Sequence, residues 1–180
     1  MARNPAVPVV GVRETPKTRW RAVPYTAGRG LDLGCGSERL FDTEFVVGID
    51  NGADQQYGTP ISANIQADAS DLSVFAAGQW DFVFSSFLLQ YFPYEKVPEV
   101  LRHWFRVVKP GGNLFLYLPD DQQYPKVGQV GSHPSQKFDV NYDCIVEAAK
   151  RSAWNWDLEL YEVCDKNDEY SLAFNFKKLK

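Results

Sequence analysis

Three acids and a pair of glycines carry the chemistry that can be read first from this chain. Asp32 stands two residues before Gly34, and Gly36 follows after Cys35. A short apolar strand stops at Asp32 and breaks into a glycine turn, where backbone without a Cβ bends sharply and approaches a ligand closely. A carboxylate at that point can meet a cationic ligand group. A second strand, Val46-Val47-Gly48-Ile49, ends in Asp50. Nucleotide-binding α/β folds hold a ribose diol with an acid at that place. The third strand, Asn64-Ile65-Gln66-Ala67, ends at Asp68, and the fourth, Asp81-Phe82-Val83-Phe84, runs into Ser85 and Ser86. This is chemistry for holding a charged, ribose-bearing ligand. No Lys-Ser or Lys-Thr phosphate cradle follows the glycines, and Cys35 reads as a small turn residue.

The elements that must position these groups fit one domain of 180 residues. Residues 1–27 read as an N-terminal arm and 28–180 as the domain. Pro5, Pro8 and Pro16 make residues 1–18 a flexible or draped segment. Trp20 and Tyr25 then either fold over the ligand mouth or cover one edge of the core. The first crossover, 37–45, has room for one or two helical turns, and the second, 51–63, is loop-rich. A short helix is expected over 71–77, started by Asp71. Val97, Val100, Leu101, Trp104, Phe105 and Val108 form one apolar stripe on a helix over 95–108. His103 falls on its polar side and reads as solvated. Lys109-Pro110-Gly111-Gly112 should stop that helix before a fifth strand over 113–118. A polar loop over 119–140 follows, rich in Pro and Gly and poorly suited to packing as core. A helix over 141–153 and two strands, 156–164 and 170–178, complete the chain.

Composition narrows the function class. With 44% hydrophobic and 23% charged residues, the chain has the make-up of an ordinary soluble protein. Its net charge of −4 and lack of a basic cluster argue against nucleic acid. The tail Lys177-Lys178-Leu179-Lys180 reads as a solvated terminus. Cys35, Cys144 and Cys164 match no zinc spacing and fit a reducing cytoplasm. No membrane-spanning window and no apolar leader is visible, so a cytoplasmic location is expected.

The motifs together resemble a class I S-adenosylmethionine-dependent methyltransferase, in a small and minimal form. The resemblance covers residues 28–118 and rests on motifs in the correct order: Leu31-Asp32-Leu33-Gly34-Cys35-Gly36, Gly48-Ile49-Asp50, Ala67-Asp68-Ala69, and Arg106-Val107-Val108-Lys109-Pro110-Gly111-Gly112. It implies a Rossmann-like α/β fold with a mostly parallel seven-stranded sheet, order 3-2-1-4-5-7-6. One strand should be antiparallel, and the crossover helices partly shortened. It also implies S-adenosyl-L-methionine as cofactor. Asp32, Gly34, Cys35 and Gly36 would lie near its methionine moiety, Asp50 at the ribose, Asp68 and the N–H of Ala69 at the adenine edge, and Ser85 and Ser86 beside the methionine, with Asn51 also among the cofactor-binding residues. The chain departs from the family pattern at Glu38, often glycine, and at Phe87 and Tyr91, where many relatives carry histidines.

Rival readings are weaker. An NAD-binding fingerprint needs a third glycine near Arg39, which is absent. The stretch Ser85-Ser86-Phe87-Leu88 carries neither the Asn/Asp-Pro-Pro-Tyr motif of DNA and protein N-methyltransferases nor the Pro-Cys pair of cytosine methylases. The expected reaction is methyl transfer to a hydroxyl or amine of a small-molecule or sugar-like acceptor. The alternative is a catalytically silent cofactor-binding module that acts through a partner protein. The loop 119–140 contributes Asp120, Asp121, Tyr124, His133 and Asp139 at the ligand-binding end of the sheet, with His133 as the candidate catalytic base. Asp120 and Asp121 alone are too few for a metal, and none is expected.

Overall fold

The computed structural model describes residues 14–53, 55 and 60–180; the expected proline-rich segment at 1–13, and 54 and 56–59 of the second crossover, lie outside these. Seven strands form one sheet in the order β3-β2-β1-β4-β5-β7-β6. The strands are β1 (Gly30–Leu33), β2 (Val46–Asp50), β3 (Ile65–Gln66), β4 (Trp80–Ser86), β5 (Val108–Pro119), β6 (Trp156–Cys164) and β7 (Ser171–Lys178). The first five run parallel, while β7 is antiparallel to both β5 and β6. This is the expected order. The helices are α1 (Thr15–Ala22), α2 (Val97–Val107) and α3 (Tyr142–Arg151).

Alternation along the central strands divides the core into two layers, because successive side chains leave opposite faces of a sheet. Leu31, Leu33, Val83, Leu114, Leu116, Phe174 and Phe176 face one way and pack with Trp104 and Phe105 of α2 and Ile145 of α3. Phe82, Phe84, Phe115, Tyr117 and Ala173 face the other way. That second face is covered by Ala22 of α1, by Tyr25 just beyond it, and by Leu40 and Phe41 of the first crossover. Tyr25 therefore covers core, with its ring 6.0 Å from Phe115, while Trp20 is exposed.

Several sequence expectations are corrected. The arm holds a helix from Thr15, because Pro16 falls in the first turn, where its missing N–H costs nothing. No helix forms over 71–77; Asp71 Oδ1 instead accepts from the Ser73 N–H at 2.8 Å, a local bond that competes with helix, and Gly78 at φ 64° closes the segment. None forms over 37–45 either. Lys109-Pro110-Gly111-Gly112 does not separate α2 from a strand but lies within β5, as a bulge between the Trp80–Val108 and Phe82–Asn113 pairs. A Cβ on Gly112 would sit 2.4 Å from the Asp81 carbonyl oxygen, so only glycine permits that approach. Part of the 119–140 loop is core after all: Phe138 and Val140 are buried in the α2 layer. Lys178 is not a solvated tail residue. Its ammonium is buried and donates to the carbonyls of Phe105 and Val108 at 2.9 and 2.7 Å, closing the C-terminal end of α2. His103 is only partly exposed, with Nδ1 3.5 Å from Asp71 Oδ1.

Candidate functional site

Parallel strands β1, β2, β3 and β4 all end at the same edge of the sheet, so the residues following them converge there. The chain leaves β1 into Gly34 and Gly36, both at positive φ (68° and 53°). The N–H groups of Gly34 and Cys35 bond the Ile49 carbonyl at 2.8 and 3.3 Å, which fastens the turn to β2. Asp50 then closes it: Oδ2 accepts from the Gly36 N–H at 2.9 Å and Oδ1 from the Gly52 N–H at 2.7 Å. The structure therefore joins Asp50 directly to the glycine turn, a link that spacing alone does not reveal.

Asp32 takes a different position. It is 1% exposed, beneath the turn, and its Oδ2 accepts from the Leu40 N–H at 2.5 Å. Burial pushes its carboxyl up to about 7; the Leu40 N–H, Arg39 and Arg19 oppose that rise, while Asp50 adds to it. Cys35 is buried alongside, and burial with the neighbouring Asp32 and Asp50 charges pushes its thiol up to about 12. A thiol so held is no nucleophile at neutral pH.

The remaining predicted residues ring this turn. Asn51 Oδ1 accepts from the Ala53 N–H and shapes the exit from β2. Asp68 is exposed after β3, with Oδ1 on the Ser70 N–H at 2.8 Å. Ala69 is buried and its carbonyl accepts from Trp104 Nε1 at 2.7 Å, so α2 fixes this corner. Ser85 Oγ is buried against the Leu33 carbonyl at 3.2 Å. Ser86 Oγ is buried and has no hydrogen-bond partner among the described residues. That hydroxyl, and the open space where a Cβ on Gly36 would meet no atom of the described residues beyond its chain neighbours within 4 Å, fit a polar ligand laid across the turn. Among the described residues no cluster of His, Cys, Asp and Glu could hold a metal ion.

Aromatic side chains gather around the residue that follows β4. Phe87, directly after Ser86, adopts φ 52°, a costly conformation for a bulky side chain, of a kind that gathers at functional sites. Its ring lies 5.7 Å from Tyr117, 6.0 Å from Tyr124 and 6.0 Å from Tyr170. Tyr170 donates to Glu14 at 2.7 Å, and Tyr117 donates to Glu169 at 2.8 Å. His133 stacks on Tyr91 at 4.8 Å, and its Nδ1 accepts from the Ser135 N–H at 3.2 Å. That bond assigns the ring proton of the neutral form to Nε2. Tyr117 and Tyr170 escaped sequence reasoning; the signal available was that both stand at strand ends facing the position after β4. A separate open cleft of about 750 Å³, lined by Lys150, Trp154, Asn155, Trp156, Leu179 and Lys180, lies at the opposite end of the sheet, where β6 starts. It lacks the site's acids and glycines.

Comparison with known proteins agrees with this geometry. The sequence profile of a family described as a methyltransferase domain matches residues 31–116. No curated protein matches. Among solved structures, the chain is similar to a SAM-dependent methyltransferase from Archaeoglobus fulgidus, with 17% identity, 91% of this chain and 92% of that one covered, and a TM-score of 0.68. A protein from Pyrococcus horikoshii OT3 aligns at 21% identity over 98% and 96% of the two chains, TM-score 0.63. An S-adenosylmethionine-dependent methyltransferase from Mesorhizobium loti aligns at 17% identity over 91% and 96%, TM-score 0.61. At these identities the likeness to the solved structures is one of fold.

Proposed function

We propose that this class I S-adenosylmethionine-dependent methyltransferase transfers its methyl group to a hydroxyl or amine of a small-molecule or sugar-like acceptor. The observation that carries the reading is the joined set of Asp50 and the glycine turn, with the orphaned Ser86 hydroxyl beside it. Asp50 would accept the ribose hydroxyls through carboxylate lone pairs not used by Gly36 and Gly52. Asp68 and the Ala69 N–H would meet the adenine edge, and Asn51 would line the ribose. Gly34, Cys35 and Gly36 would present backbone to the methionine moiety, with Ser85 and Ser86 on its far side. Asp32 would act from below the turn as a counter-charge.

When bound, the cofactor supplies a methyl group already activated by its sulfonium. The chain's own contribution is then chiefly positioning, worth ~7–11 kcal/mol when the geometry is held. Phe87, Tyr117, Tyr124 and Tyr170 would exclude water and hold the acceptor's apolar surface. An oxygen or neutral-amine acceptor also needs its proton taken up. His133 is the proposed base, and that role requires it to exchange tautomer or give up the Ser135 bond. No helix among the described residues is long and apolar enough to cross a membrane.

The test is turnover. Purified protein with methyl-labelled S-adenosylmethionine and a metabolite extract should produce S-adenosylhomocysteine and a labelled small molecule. Cofactor binding without turnover, across metabolite, nucleic-acid and protein fractions, overturns methyl transfer in favour of a silent binding module.

A further inference from the structure

In open α/β folds a helix commonly begins right after the first glycine turn, and its N-terminus offers partial positive charge there. Among the described residues 34–45 no helix follows β1. Asp32 nevertheless lies buried at this point, and its compensation has to come from elsewhere. The Leu40 N–H and Arg39 of the crossover supply part of it, and Arg19 of α1 supplies a further part.

Arg19 of α1 reaches across to the first crossover. Its Nε donates to the Leu40 carbonyl at 2.6 Å, and its Nη2 donates to the Arg39 carbonyl at 3.2 Å and to Glu38 Oε1 at 3.4 Å. The Arg39 carbonyl and the Leu40 N–H belong to one peptide group. That same N–H donates to Asp32 Oδ2 at 2.5 Å. The guanidinium therefore polarises, from the oxygen side, the peptide whose N–H meets the buried carboxylate. Hydrogen bonds in such a chain strengthen one another where water is excluded, and Leu40 is fully buried.

We infer that Arg19 is a positioning residue for the cofactor: through the Arg39–Leu40 peptide it fixes the Asp32 carboxyl and favours its charged form as the counter-charge for the positively charged end of S-adenosylmethionine. This rests on the reading of the site given above. The other groups facing Asp32 are Arg39 from the crossover, Asp50 from the end of β2 and Cys35 from the turn. Arg39 is itself engaged by Asn64 Oδ1 at 2.7 Å and by Asp42. Arg19, though paired with Glu38 as well, is among the described residues the cation with a hydrogen-bonded route to Asp32. Since Asp32 is poised at about 7, loss of that route is felt at neutral pH.

The test compares wild type, Arg19→Gln, Arg19→Lys and Asp32→Asn, without and with S-adenosylhomocysteine. Carbon-detected NMR of aspartate-labelled protein, assigned through Asp32→Asn, reads the Asp32 titration directly, and calorimetry from about pH 6 to 9 reads affinity. In Arg19→Gln the Asp32 midpoint should move to higher pH. Affinity near pH 7 should fall about three- to tenfold, as for loss of part of a charged hydrogen bond, and the loss should fade by about pH 9. Arg19→Lys should restore the midpoint in part, since it keeps the charge but not the two-carbonyl fork. An Asp32 titration unmoved in Arg19→Gln, or a loss of affinity equal at every pH, overturns the relay. Asp32→Asn binding as tightly as wild type instead overturns the place of Asp32 at the cofactor, whatever the titration shows.

Discussion

Replacing Asp32 with asparagine should make the ligand-free protein more stable at alkaline pH and less able to bind its cofactor. Burial pushes the folded carboxyl from the usual carboxylate range up to about 7, against the opposing Leu40 N–H and arginines. The folded state then binds this proton more tightly than the unfolded chain does. The stabilisation is full below the ordinary carboxylate value, declines as pH rises, and is gone above about 7. A separation of about three in pKa, at ~1.4 kcal/mol each, puts the loss at roughly 4 kcal/mol as an upper figure. That is a large share of the ~5–15 kcal/mol that holds a domain together. The substituted asparagine would be neutral at every pH, and its side-chain oxygen could still accept from the Leu40 N–H. After about 1–3 kcal/mol for a buried amide group without a partner, Asp32→Asn should exceed wild type by about 1–3 kcal/mol near pH 8. The gap should close or reverse near pH 5. Urea unfolding of the ligand-free protein at both pH values measures this, with calorimetry of S-adenosylhomocysteine beside it. A stability difference independent of pH, or a variant weaker than wild type near pH 8, would refute the reasoning.

Three further outcomes are expected. Asp50→Ala removes the acceptor shared by Gly36 and Gly52; calorimetry should show cofactor affinity down at least about tenfold, from ~1.5–3 kcal/mol of charged hydrogen bonding, and retained NAD binding would move the site to another class. Gly30→Ala sets a Cβ 2.2 Å from the buried Phe82 ring; overpacking of this kind costs about 1–3 kcal/mol, which a lowered melting temperature would report. His133→Ala should lower kcat by about 10²–10⁴-fold with cofactor affinity intact if the imidazole takes the proton; unchanged turnover assigns it a packing role on Tyr91.

The centre of the sheet was legible because β1, β2 and β4 are short, largely apolar runs, with β2 and β4 ending in a charged or polar residue. Two buried faces impose that pattern. β6 spans 156–164, the range expected of it. What the sequence hid are features made by residues far apart in the chain. Arg21 pairs with Glu169 at 2.6 Å, a buried contact across 148 positions with no local trace. Lys178 looked like one cation in a solvated tail, yet the C-terminal carbonyls of α2 draw it inward. The bulge in β5 was misread because Pro and Gly break helices and also permit an irregular strand. Asp32, Asp50 and Asp68 read alike as strand-end acids, and only packing separates them. One is sealed beneath the turn, one bridges it, and one is exposed.

The covering of the second face of the sheet ties these observations to function. That face carries Phe82, Phe84, Phe115 and Tyr117, and without a crossover helix it needs α1 to close it. At one side α1 holds the crossover through Arg19. At the other it holds the turn between β6 and β7, where Arg21 bonds Glu169 and Lys17 donates to the Asp168 carbonyl at 3.2 Å. Glu169 also accepts from Tyr117, and Glu14, just ahead of α1, accepts from Tyr170. Those tyrosines belong to the aromatic group around Phe87. A single eight-residue helix thus contacts the backbone that serves the glycine turn and, through the hairpin, the rings around Phe87. Docking α1 buries the apolar face and in the same step completes the charge balance beneath the turn. A chain in which α1 is undocked would lose that cover of the second face together with the Arg19 bonds to the crossover, so the packing of the sheet and the geometry beneath the turn rest on the same contact.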